Sequence, residues 1–268
     1  VTGYIVPRLG SALASEWTKL RSVRSTWLTL AVAAAVGLGL TVLFTVVIGS
    51  DFPTMDAQAR QALRPVSVGT VGLSLALVLF IVFGTGSTAP EFASRMISVT
   101  LAVTARRGRW LAAKALVVGA VAAVAGTVLT VASFVLGQSV LAGAGAPHAS
   151  LGDSGVVRVL AGWTAEMVVF SVLAVFVAVL LRSAAGTIAA LLAVIYLPAM
   201  FGDMLPAWVS EYVLRFLPGM AAGTLAELNP DPASPTYLPP WAAGLVLVGW
   251  IAGLALLARA TLSARDAR

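Results

Sequence analysis

The chain contains no cysteine and a single histidine, His148. Disulfides and thiolate metal sites are therefore excluded, and so is a histidine metal cluster. Charge is scarce as well. Only 10% of the 268 residues are Asp, Glu, Lys or Arg, against 59% hydrophobic. Soluble domains carry roughly 25% charged residues, so the shortfall points to a bilayer. The sequence holds no GxxxxGK[ST] phosphate loop and no Leu-Ser-Gly-Gly-Gln run, so nothing in it would cradle ATP phosphates. No convergent catalytic set is visible. The run Gly152–Gly155, "GDSG", and nearby His148 lie in a short loop and resemble protease residues only by coincidence. The first apolar run begins near Trp27 and is too long for a signal-peptide core.

What is present is long apolar runs. A spanning helix needs about 20 mostly apolar residues. Six runs qualify or nearly so, at about 27–49, 66–87, 115–137, 156–181, 184–201 and 241–258. The expected fold is all-α and polytopic, in one transmembrane domain over 1–268 with six transmembrane helices. The net charge of +6 bears on topology rather than nucleic acid, for which no partner role is expected. With both termini in the cytoplasm, only Arg60, Arg64, Arg158 and Arg215 of the 17 basic residues lie outside. That asymmetry follows the positive-inside rule. It predicts a multi-pass protein of the cell (plasma) membrane with both ends cytoplasmic.

Three segments between the spans carry pattern. Over residues 9–24, Leu9, Leu13, Trp17 and Leu20 share one helical face, and Glu16, Lys19 and Arg21 lie among them. This reads as an interfacial helix. The loop 88–114 gathers unusual charge. Thr88 and Glu91 have capping-box spacing, with Glu91 expected to reach back to the Thr88 amide. Phe92, Met96, Val99 and Val103 then form an apolar stripe, with Arg95 beside it and Arg106, Arg107 and Arg109 after it. The external region 202–240 repeats Trp208, Tyr212 and Phe216 every four residues, and Glu211–Arg215 has favourable i,i+4 spacing. Short helices lying in or dipping into the outer leaflet are expected there. The Pro198-bearing fifth span suggests non-helical backbone at depth. Two further features stand out. Glu166 is the sole ionisable residue well inside a span, a functional candidate by default. Gly249 and Gly253 have GxxxG spacing.

On these residues the chain resembles the type-2 ATP-binding-cassette (ABC) transporter permeases, in particular an actinobacterial six-span subgroup. "SEWTKLRS", with Glu16, Lys19, Leu20, Arg21 and Ser22, is similar to that family's entry segment. Glu91, Met96, Ile97, Leu101, Arg106, Arg107, Ala113 and Lys114 match its loop between spans two and three, and "RFLPGMAAG" its external segment. Departures are Pro90, Phe92, Arg95 and Ala105. The resemblance implies that 88–114 carries a coupling helix. Glu91, Phe92, Arg95, Met96, Val99, Val103, Arg106 and Arg107 would then face a separate ABC ATPase subunit. It implies that ATP and Mg bind that partner, that this chain is not itself an enzyme, and that a second permease, identical or not, completes the transporter. The function expected is export of an apolar or amphipathic substrate. The rival expectation is a self-contained ion-coupled transporter or channel, for which only Glu166 offers a coupling group.

Overall fold

The computed structural model describes residues 9–93 and 107–265. Twelve α-helices are seen among the described residues, with short 3₁₀ turns and no strand. In chain order they are α1 (Leu9–Ser22), α2 (Arg24–Asp51), α3 (Ala57–Ala62), α4 (Pro65–Val68), α5 (Leu73–Gly86) and α6 (Ala89–Ala93). After them come α7 (Arg107–Gly143), α8 (Val156–Leu181), α9 (Ala184–Phe201), α10 (Ala207–Tyr212), α11 (Pro218–Ala226) and α12 (Pro240–Arg265). Among the described residues six stretches are long and apolar enough to cross a bilayer: α2, α5 continued into α6 (Leu73–Phe92), α7, α8, α9 and α12. The protein is an all-α, multi-pass membrane protein, as the apolar runs predicted.

Helix α8 is the hub. It packs against α5, α7, α9, α11 and α12, and its apolar residues are buried nearly all round. Lipid tails are as apolar as leucine, so close packing and hydrogen bonds must hold these helices together. Two sites show how. Gly84 of α5 lies so close to the Ser171 carbonyl of α8 that a Cβ would collide with backbone. Ser171 Oγ donates to the Phe80 carbonyl at 3.1 Å, stitching the same pair. On the other side, Thr41 of α2 meets Ser133 of α7 at 2.7 Å, and Ser133 donates to the Gly69 carbonyl.

Several boundaries depart from expectation. The second span begins at Leu73 rather than at 66. Residues 65–72 form a short helix followed by turns, and Gly72 sits against the Gly37 carbonyl at the midpoint of α2. Any Cβ at position 72 would collide with that carbonyl, so the close approach requires glycine there. Gln138 of α7 satisfies the interrupted segment by donating to the Pro65 carbonyl at 2.8 Å and accepting from Ala149 N at 2.7 Å. The regular α-helix is thus interrupted just before the second span. The fifth span, where Pro198 led us to expect it, runs unbroken as α9. Pro198 lies in its last turn, where little of the helix remains to be disrupted. Helix α7 runs 37 residues, about 56 Å at 1.5 Å per residue. It therefore reaches beyond a hydrocarbon core of about 30 Å.

The helices sort the charges by end. Arg107 donates to the Leu262 carbonyl, Arg182 lies over the Phe92 ring, and α1 packs on α7. One end of the bundle therefore holds α1, α6, the start of α7 and the end of α12. Arg158, at the opposite end, donates to the Glu227 and Leu228 carbonyls. There α11 sinks between the spans: Gly162 abuts the Leu225 carbonyl, and Trp250 Nε1 donates to the Phe216 carbonyl at 2.8 Å. Short helices are thus present within 202–240, and α11 packs among the spans. The Glu211–Arg215 pair does not form. Helix α10 ends at Tyr212, so the i,i+4 register is lost, and Arg215 instead lies over Phe216.

Candidate functional site: a buried charge cluster

Helix α1 has the expected apolar residues, but its most buried side chains are Glu16 and Leu20. Glu16 is 5% exposed, a costly position for a carboxylate unless it is paired. The partner is Lys114, one turn past the expected loop arginines on α7 and itself 4% exposed. Its Nζ lies 2.6 Å from Glu16 Oε2 and 2.9 Å from Glu91 Oε1, and donates to the Ser87 carbonyl at 2.9 Å. The ammonium has three donors, so all three find acceptors. The Trp110 ring, one turn earlier on α7, stands 5.4 Å from the same Nζ, a cation–π distance. Lys19 completes the group at 2.8 Å from Glu16 and 3.5 Å from Glu91.

The cluster thus holds two carboxylates and two ammonium groups with no net charge. It ties together α1, the α5–α6 junction and the start of α7. Burial pushes the Glu16 carboxyl up, but Lys114 and Lys19 overcome this and hold it below its ordinary 4.5. Burial likewise pulls the Lys19 ammonium down, and its contacts with Glu16 and Glu91 lift it above 10.5. Both groups stay ionised across the neutral range. A cavity of about 470 Å³ opens beside them, lined by Ser22, Thr26, Gly86 and Pro90 as well as the charged residues.

The capping box expected at Thr88 is not formed. The Thr88 amide donates to the Thr85 carbonyl at 3.0 Å, and the Glu91 carboxylate turns to Lys114. Paired charge in a buried site outweighs an N-terminal amide as a destination for that carboxylate. Phe92 lies partly buried against the core beneath Arg182. Arg107 is anchored at Leu262, near Arg109 and Arg259 around a cavity of about 600 Å³. Arg95, Met96, Val99, Val103 and Arg106 lie outside the described residues. Trp17 and Arg21 are exposed on α1. The structure therefore joins Glu16, Lys19 and Glu91, and separates Arg107 from them.

Lys114 is the member that sequence reasoning did not place in a site. A signal existed. Among the segments assigned to the basic side, Glu16, Glu91 and Asp266 are the only acids, and a lysine at the mouth of a span needs one.

Glu166 of α8 is 6% exposed and makes no hydrogen bond or ion pair among the described residues. Tyr196 of α9 is within electrostatic reach. A Cβ added at Gly249 or Gly253 would meet nothing within 4 Å among the described residues. His148 faces its own loop carbonyl at Ala146 and Asp153 accepts from Ser150, so "GDSG" is a turn.

No protein-family model matches this chain, and a search of curated proteins returns no match.

Proposed function

We propose that this chain is the membrane permease subunit of an ATP-driven exporter of the type-2 ABC class, in the plasma membrane with both termini cytoplasmic. ATP and Mg bind a separate ATPase subunit, and a second permease completes the path for an apolar or amphipathic substrate. The observation that carries the reading is the neutral cluster of Glu16, Lys19, Glu91 and Lys114. It clamps the start of the 88–114 segment to α1 and α7 at the end of the bundle where most described basic residues gather. A partner that moves this segment moves α1 and α7 with it, because separating buried paired charges is costly. A partner drives such a change only through contacts that differ between its states.

The test is reconstitution with the ATPase subunit. Substrate-stimulated hydrolysis is expected in the wild type. In Glu91→Gln the two subunits should still co-purify while stimulation falls. An isolated chain that transports without any ATPase would overturn the reading. It would favour the ion-coupled alternative, for which the unpaired, buried Glu166 is the one supporting observation.

A further inference from the structure

An apolar groove of about 810 Å³ runs between α1, α2 and α7, distinct from the cavity beside the charge cluster but sharing Val117 with it. All of its lining side chains are apolar or tryptophan. On α2 the lining positions Trp27, Leu30, Ala34 and Leu38 recur at helical spacing, over about 16 Å. On α7 they extend from Val117 to Ala132, about 22 Å. One leaflet of a hydrocarbon core about 30 Å thick is about 15 Å deep, so the groove reaches through about one leaflet. Its upper edge carries two indoles, Trp17 at 43% and Trp27 at 45% exposure, the side chain favoured at the lipid–water boundary.

Each apolar stripe ends in an arginine at the same elbow. Trp17 is followed one turn later by Arg21 on α1, and Trp27 is preceded one turn earlier by Arg24 on α2. Trp27 Nε1 donates to the Arg21 carbonyl at 3.1 Å, which fixes the two stripes together. Both arginines are exposed. Neither is in an ion pair among the described residues, and the nearby acids Glu16 and Glu91 are committed to lysines.

We propose that this groove is a binding site for one anionic phospholipid, its acyl chain along α2 and α7 and its phosphate at Arg21 and Arg24. A second copy of the chain fits less well. A twofold interface would use the same patch on both copies and bring arginine pairs together without acids to offset them. The inference does not depend on the transport reading.

The test is native mass spectrometry on delipidated full-length protein, titrated with dioleoyl phosphatidylglycerol or dioleoyl phosphatidylcholine. Wild type is expected to hold one phosphatidylglycerol tightly and phosphatidylcholine more weakly. Arg21→Gln with Arg24→Gln should weaken phosphatidylglycerol about thirtyfold, at roughly 1 kcal/mol per basic residue, and erase the preference. Ala120→Trp, at an exposed lining position, should abolish the tight site for both lipids. If that variant does not fold, Val124→Trp serves, since Val124 lines the same groove at 69% exposure. Equal binding of the two lipids by wild type overturns the headgroup assignment. Unchanged phosphatidylglycerol binding in the folded tryptophan variant overturns the groove.

Discussion

Removing one cation from the buried cluster is the most direct perturbation of this architecture. Lys114→Met keeps much of the side-chain volume and deletes the charge. Glu16 and Glu91 are then left with Lys19, which already stands 2.8 Å from one and 3.5 Å from the other. Four charges that summed to zero become three that sum to minus one, in a site where Glu16 is 5% exposed. Breaking a buried pair from one side costs about 3–5 kcal/mol. The Ser87 carbonyl also loses its donor. The loss is read as the shift in a reversible SDS-unfolding titration in mixed micelles, followed by tryptophan fluorescence. Glu91→Gln added to Lys114→Met restores neutrality and keeps the Glu16–Lys19 pair. The double variant should therefore recover at least ~1 kcal/mol relative to the sum of the two single losses. A single-variant loss under about 1 kcal/mol, the range of exposed pairs, would refute the clamp. So would strict additivity.

The cluster should also set a pH window. Glu16 is depressed, so its contribution is complete above 4.5 and is lost as pH falls through its lower folded value. Lys19 is raised, so its contribution is complete below 10.5 and is lost above that. The stability gap between wild type and Glu16→Gln should stay flat from about pH 6 to 9 and close in acid; a gap that changes at neutral pH would contradict this. Gly84→Leu should prevent assembly of α5 on α8, because the Ser171 carbonyl occupies the space; recovery of folded, wild-type-stable protein on size exclusion would show otherwise. Glu166→Gln should change stability by no more than about 1 kcal/mol, since no charged partner is lost, yet alter transport in reconstituted vesicles; unaltered transport would make Glu166 a bystander. A cysteine placed at Arg107 in this cysteine-free chain should resist impermeant maleimide in intact cells, whereas one at Glu211 should label.

The spans were legible because lipid exposure demands uninterrupted apolar sequence, and 156–181 and 184–201 match α8 and α9 to the residue. The interrupted entry to α5 was not. At that entry Gly72 meets Gly37, 35 positions away, and no local pattern encodes that meeting. Pro198 misled in the opposite direction, since a proline in a final turn scarcely disturbs a helix. Similarly, Glu211 and Arg215 have ion-pair spacing only if the helix continues, and it stops at Tyr212. The charge cluster was half legible. Glu16, Lys19 and Glu91 stood out as charges in apolar surroundings, but their assembly depends on α1 folding back across α7.

The position of that assembly explains why a chain so poor in charge keeps four of its charges together. At the mouth of a span, each alone would be driven toward water or neutralised. Together they satisfy one another, and the helices that bear them cannot shift singly without exposing an unpaired member. Apolar contacts between helices in lipid impose no such condition, because lipid replaces a lost partner at little cost. Helices α1 and α7 and the start of the 88–114 segment are therefore constrained to move as one at the charged end of the bundle.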